Sequence, residues 1–380
     1  MIKKNLSPFK ICVLAFSFFV VILTSISLYK IISTTTPDFN VLWHAASYLP
    51  TSNNPYMHPD IFTGVGYPPN TLLFYLPLTI FNYQLAQTIF ILLILITILG
   101  SIYLSLKISI KKFSIWAFLL ITSLVLISFP TKFTLGMGQN NSISLFMLLS
   151  SFYFYKRKNY KVAGLILGLT ISLKTVFGFF ILFFILKQEW KVILYSLIPI
   201  AASTFLVALV SRFDLYEYYL KVVIPPLLEV SGREIYYNQG ITGFISRLLT
   251  DSSLRKFVSL AISFIITLTI SVFTLKKKNI DLTFSLFVIS LPLIDSLSWQ
   301  HHFIWLLFPF IILASYSLKQ KKFLTLMLIG IAYLFVSWNF KNPNMFENFP
   351  ISLVLSNTFY GAVILFLVNI YLLRLNKTTS

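Results

Sequence analysis

The sequence predicts an all-α, polytopic transmembrane helical bundle, and three observations carry that prediction. Hydrophobic residues make up 57% of the 380-residue chain and charged residues only 11%, too little polar surface to cover a soluble globule of this length. Apolar runs long enough to cross a bilayer recur from end to end. The net charge of +19 sits in short lysine clusters between those runs, as in cytoplasmic loops, and not in the basic face of a nucleic-acid-binding protein. The single cysteine, Cys12, lies inside the first run, so no disulfide can form within one chain.

Taken in order, Lys3, Lys4 and Lys10 precede an apolar run at 11–32. It is longer than a signal-peptide core and lacks a clear small-residue cleavage site, so it reads as an anchor helix. Further runs at 84–106, 113–129, 141–155, 192–210, 256–275, 281–296, 302–318, 323–338 and 351–373 bring the expected total to about ten spans. Thr71 to Phe81, bounded by Tyr67-Pro68-Pro69-Asn70 and Asn82, is too short to cross and reads as an interfacial or partly inserted helix. Val162 to Leu186 is interrupted by Lys174, leaving two halves of roughly 18 Å each as helix. This pattern suits a hairpin of short helices with Lys174 at its tip, where a lysine at membrane depth faces protein or a wet cavity.

With the N-terminus inside, Lys107/Lys111/Lys112, Lys156 to Lys161, Lys187/Lys191, Lys276 to Lys278, Lys319 to Lys322 and Arg374/Lys377 all fall on the inner face. That is most of the 30 basic residues, whereas of the 11 acids only Glu189 and Asp281 join them. The positive-inside rule therefore predicts both termini in the cytoplasm. The chain reads as one transmembrane domain over 1–380, with a first outer loop at 33–83 and a second at 211–253. In the second, Leu215, Tyr218, Tyr219 and Val222 follow helical spacing until Pro225-Pro226 ends the pattern, as expected of a helix lying on the outer leaflet.

On this topology the polar residues with no packing role collect at outer ends: Asp38 and His44; Gln139, Asn140 and Asn141; Asn238, Gln239 and Arg247; Asp295, Trp299, Gln300, His301 and His302. Lys174 approaches them from below. Each has an ordinary explanation alone, a solvated loop acid or an interfacial aromatic, and their common side is what points to a site. His301 and His302 are adjacent instead of i, i+4, no glycine-rich phosphate loop follows a strand, and no Ser-His-Asp order is defensible. What remains is isolated carboxylates opposed by Lys, Arg and His. That set suits a reaction in which a hydroxyl loses its proton while an anionic phosphate departs.

Asp38 followed by Trp43-His44-Ala45-Ala46, Asn54-Pro55-Tyr56, Tyr67-Pro68-Pro69, Gly138-Gln139-Asn140-Asn141, Ala163-Gly164-Leu165 running into Leu173-Lys174, Asn238-Gln239 with Arg247, and Ser298-Trp299-Gln300-His301-His302 together resemble the membrane glycosyltransferases of family 87, in the GT-C superfamily. The resemblance implies a GT-C-type bundle and an inverting transferase. Such an enzyme takes a hexose, mannose by family default, from a polyprenyl-phosphate donor at the outer face of the cytoplasmic membrane. It gives Asp38 the role of general base and places His301 or His302 at the donor phosphate. Lys174 and Arg247 are added from topology as charge partners for that phosphate. His44, Tyr56, Tyr67, Gln139, Asn140, Asn238, Gln239 and Trp299 become candidate substrate contacts, with Trp43 alongside them. Because Asp38 is followed by Phe39 and Asn40 and the next acid is Asp60, no paired acids stand ready for a divalent ion, and metal-independent chemistry is expected. The expected partners are the lipid-linked donor, the bilayer and a glycan, glycolipid or protein acceptor, with no nucleic acid. A flippase of lipid-linked sugars remains an alternative, as does a polysaccharide polymerase or ligase using Arg212, Arg233 and Arg247.

Overall fold

The computed structural model describes residues 7–51, 53–57, 66–110, 113–211, 214–228, 233–346 and 348–375. Among them the chain is helical throughout. In chain order the α-helices are α1 (Pro8–Ile32), α2 (Pro37–Tyr48), α3 (Pro69–Tyr75), α4 (Tyr83–Ser109), α5 (Ile115–Ile127), α6 (Phe129–Met137), α7 (Asn141–Lys156), α8 (Tyr160–Leu173), α9 (Phe179–Leu186), α10 (Trp190–Val210), α11 (Asp214–Tyr218), α12 (Ile224–Leu228), α13 (Ile241–Leu248), α14 (Ser252–Lys276), α15 (Ile280–Ile294), α16 (Leu307–Lys319), α17 (Phe323–Ser337) and α18 (Asn357–Leu375). The tighter 3₁₀ segments Gln300–Leu306 and Ile351–Ser356 lead into α16 and α18. By length and composition six helices are able to cross a membrane, or seven if α5 and α6, bent by 63°, count as one. Shorter apolar helices, α8 and α15 among them, fill the bundle between these, so the sequence-based figure of about ten spans is not reached by that measure.

The helices have two chemically distinct ends. At one, Lys156 pairs with Asp281 at 2.5 Å, the Lys187 ammonium donates to the carbonyls of Thr274 and Lys277, and Lys319 donates to that of Ser109. Lysines expected to share one side of the membrane thus cap the exposed carbonyls of neighbouring helices, the favourable arrangement for a helix C-terminus. At the other end lie Asp38, Gln139, Asn238 and His302. The short pair α8 and α9 turns back at Lys174: Gly164 and Gly168 of α8 lie against the start of α10, which begins where α9 ends. A Cβ at Gly164 would run into the Val192 carbonyl oxygen, and one at Gly168 into that of Ser196. This four-residue spacing of glycines lets two helix backbones touch.

Three local departures have physical reasons. The run ending near 129 continues as α6, because Pro130 occupies the first turn of a new helix and Lys132 and Thr134 lower its hydropathy. The first outer loop contains α2 in addition to the short helical stretch after Tyr67, its start set by Thr36 and Pro37. Pro225-Pro226 does not end the second-loop helix, which runs on through Ile224–Leu228 after a π-turn at Tyr219–Val223. A wider turn there moves the preceding carbonyls out of register with the proline rings. Asp60 and Arg212 lie outside the described residues.

Candidate active site

Asp38 sits in the first turn of α2, where a carboxylate faces unpaired helix N–H groups. The turn is clamped to α4: the Thr36 N–H and hydroxyl both donate to Gln87 Oε1 at 2.9 Å, and Gln87 Nε2 donates to the Thr34 carbonyl at 2.7 Å. Gly138 permits the close approach of α6. It caps that helix at φ +68°, and a Cβ there would lie 2.6 Å from Phe39 Cβ and 2.8 Å from Thr36 Oγ1. Gln139, next in the chain, donates from Nε2 to Asp38 Oδ2 at 2.5 Å, while its Oε1 accepts from the Tyr67 hydroxyl at 2.9 Å. The tyrosine proton can only go to an acceptor, so Tyr67 fixes which end of the amide meets the carboxylate. Burial pushes the Asp38 carboxyl above the ordinary carboxylate value, and the Gln139 bond and the charge of Lys174 draw it part of the way back. Burial, and then the negative charge of Asp38, raise the Tyr67 phenol, which stays a donor.

The second half of the site is built around Lys174. Its ammonium is buried (6% exposed), donates to Asn141 Oδ1 at 2.5 Å and lies 3.3 Å from His302 Nε2. The rings of Tyr67 and Trp305 flank it at 5.6 and 5.5 Å, a cation-π cage. Burial works against its charge, and Asp295 and Asp38 favour it, though neither carboxylate is within 4 Å of it. A buried cation whose close partners are neutral is suited to receive an anion. On the far side of His302, Asp295 Oδ2 is 3.7 Å from Nδ1, and burial holds the Asp295 carboxyl above its usual range. His301 stacks near Phe133, Trp299 and His302, with ring centroids 4.7 to 6.4 Å apart. Neither of its ring nitrogens has a hydrogen-bond partner in the protein. Asn140, fully buried, lies against the Tyr75 hydroxyl.

Asp38, Tyr67, Gln139, Asn141, Lys174, His301 and His302 are therefore brought together. Other expected site residues are placed differently. Arg247 spends its donors on Ser356 Oγ and the carbonyls of Glu234, Ile235 and Asn238, at 2.9 to 3.1 Å; burial lowers it to about 10, still protonated at neutral pH. Gln239 donates to the Tyr236 and Leu355 carbonyls and accepts from the Thr358 and Phe359 N–H groups. Asn238 forms an antiparallel bridge with Trp299, and the Gln239 N–H donates to the Ser298 carbonyl at 2.7 Å. These three residues lock the second outer loop onto the segment that carries the histidines. His44, six positions after Asp38 and so on another face of α2, packs on Trp43 and Tyr83. Tyr56 donates to the Tyr67 carbonyl at 2.9 Å and packs on Tyr218 and Tyr219.

Trp305 and Gln87 are the structural contributors that sequence reading passes over. Trp305 stacks on His302 at 4.9 Å and 5° because both lie in the 3₁₀ segment, where residues three apart eclipse; within an apolar run it reads as ordinary span. Gln87 stands with Gln84 and Thr88 near the start of α4, where polar residues at a span end are ordinary, so nothing in the sequence sets it apart. Among the described residues no three His, Cys, Asp or Glu side chains converge as metal ligands.

The family model for glycosyltransferase family 87 matches residues 65–294. Asp38 and the histidines fall outside that stretch and are joined to it through Gln139 and Lys174. The chain is also similar to the polyprenol-phosphate-mannose-dependent alpha-(1-2)-phosphatidylinositol mannoside mannosyltransferase of Mycobacterium tuberculosis, 20% identical over 213 residues, which are 55% of this chain and 49% of that protein. The chain thus spans about half the length of the curated relative it matches. With the matched stretch covering more than half of its residues, this multi-pass membrane protein belongs to glycosyltransferase family 87.

Proposed function

We propose that the protein transfers a hexose, mannose in the first instance, from a polyprenyl-phosphate donor to an acceptor hydroxyl, with inversion and without a metal ion. The site lies at the outer face of the cytoplasmic membrane, both termini being inside. The observation that carries this reading is the opposition of a hydrogen-bonded carboxylate, Asp38, and a buried cation without a contact ion pair, Lys174, in one cluster. In the displacement the acceptor oxygen bonds to the anomeric carbon and its proton passes to Asp38, while the bond from that carbon to the phosphate oxygen breaks. The electron pair leaves with polyprenyl phosphate, which gains a negative charge that Lys174, with His301 and His302 beside it, is placed to meet. A carboxylate whose proton affinity is raised by burial is the better base for this late proton transfer.

Support for a lipid-linked donor comes from an apolar cavity of about 450 Å³ between α4, α5, α16 and α17. It includes Phe303 and Ile304, next to His302, and extends to Leu106 and Ile110 near the lysine-rich end, as a hydrocarbon chain requires. The test is product analysis after incubating purified protein with a panel of polyprenyl-phosphate sugars in EDTA. Wild type transfers one of them, and Asp38→Asn lowers turnover by about 10²- to 10⁴-fold while eluting as the same folded species. Near-wild-type turnover by Asp38→Asn removes it as the base, and strict dependence on added Mg or Mn overturns the metal-free chemistry.

A further inference from the structure

Of the two carboxylates in the cluster, Asp38 has a role and Asp295 has none. Asp295 follows directly on α15, its N–H donating to the Leu291 carbonyl at 3.1 Å, and its carboxylate accepts from the N–H groups of Ser296 and Leu297. The second outer loop closes on it from behind. A Cβ at Gly240 would lie 2.8 Å from the Asp295 carbonyl oxygen, so the approach depends on glycine.

The carboxylate faces His302. Its Oδ2 lies 3.7 Å from Nδ1, longer than a hydrogen bond, so its pull is electrostatic and favours the tautomer that turns an N–H toward it. The ring has little freedom to swing away. It stacks on Trp305 at 4.9 Å and 5°, and the Trp305 indole N–H donates to the Asn141 carbonyl at 3.2 Å. The His302 backbone N–H donates to the Trp299 carbonyl at 2.8 Å.

Across the ring, Nε2 is 3.3 Å from the Lys174 ammonium. An ammonium has three N–H donors and no acceptor, so at this contact Nε2 offers its lone pair, and a neutral imidazole with a lone pair on Nε2 carries its proton on Nδ1. Asp295 and Lys174 thus require the same tautomer from opposite sides. Asn141 Oδ1 takes a second Lys174 proton at 2.5 Å. With two donors held, the third N–H keeps one direction, and it has no acceptor among the described residues. In the other tautomer an imidazole N–H would meet an ammonium N–H, donor against donor, and Lys174 would lose one of its two acceptors.

Resting on the transferase reading above, we propose that Asp295 is a positioning residue: through His302 it holds Lys174 so that one ammonium proton stays free for the departing phosphate. Asp295 itself does not touch the reacting atoms. Its effect belongs to kcat, where the phosphate gains charge, more than to KM for the donor.

The tautomer is measurable apart from turnover. Nitrogen NMR of full-length protein carrying isotope-labelled histidine gives ring-nitrogen signals for each imidazole, and those lost in His302→Phe belong to His302. Wild type should carry the His302 proton on Nδ1, Asp295→Asn should move it toward Nε2, and Asp295→Glu should return it. In transfer assays Asp295→Asn and His302→Phe should each lower kcat by about tenfold, the scale of one hydrogen bond to a charged group, with KM for the donor little changed. The double variant should lose no more than His302→Phe alone, as expected of residues acting in one line. A wild-type His302 protonated on Nε2, a tautomer indifferent to Asp295→Asn, or an additive loss in the double variant overturns the proposal. Failure of the transferase reading is a different result: wild type moves no sugar from any donor, while Asp295 still sets the tautomer of His302.

Discussion

At the scale of single residues, the site works by limiting what each polar group is able to do. Tyr67 donates to Gln139, and Gln139 is thereby turned to donate to Asp38 Oδ2, which leaves the other oxygen for the role proposed for it, receiving the proton of an incoming hydroxyl. The pH dependence follows with a definite sign. Burial raises the Asp38 carboxyl and the Gln139 bond lowers it, so the acid limb of kcat/KM should lie above the ordinary carboxylate value of about 4. Gln139→Leu removes the lowering contribution and should move that limb to higher pH. A pH profile of the purified variant checks this, and a limb that stays put or moves toward acid breaks the link between Gln139 and the base. Asp38, Lys174 and the two histidines are legible in sequence because charged or titratable groups are expensive near a bilayer. Arg247, Asn238 and Gln239 carry the same signal but serve buried carbonyls and N–H groups, since sequence does not distinguish a polar group aimed at substrate from one aimed at backbone.

Among the elements, the turned-back pair α8 and α9 shows how packing delivers chemistry. Its tip holds Lys174 at the site only because Gly164 and Gly168 let α8 lie directly on α10. Gly168→Leu should lower stability by about 1–3 kcal/mol through overpacking and weaken donor binding. Gly178→Ala, where nothing lies within 4 Å of the added carbon, should change neither. Thermal unfolding in detergent with a donor-binding titration decides the matter, and unchanged donor binding in Gly168→Leu would detach the tip from the packing beneath it. The hairpin was readable in the sequence from a lysine splitting a short apolar run. The bend into α6 was not, because Lys132, Thr134 and Gly136 erase the hydropathy signal while leaving helix propensity intact.

On the scale of the whole molecule, lysine-capped helix ends at one pole and the acid, amide and histidine cluster at the other give the bundle a chemical polarity. In the membrane this polarity should have one sense. In a Cys12→Ser background, a cysteine at Thr51 should react with an impermeant maleimide on intact cells and one at Lys158 only after permeabilisation; the reverse pattern would put the site in the cytoplasm. Sequence captured this polarity well, because charge asymmetry is a property of composition and survives ignorance of every contact. The anchoring of the α2 turn adds one more consequence. Gln87 of α4 and Gln139 of the link between α6 and α7, which hold Thr36 and Asp38, both lie outside the first loop, so the carboxylate is positioned from the bundle and not by the loop that carries it. The carboxylate is therefore gripped from two sides by the bundle, and a substitution in either glutamine should reach it although neither shares its helix.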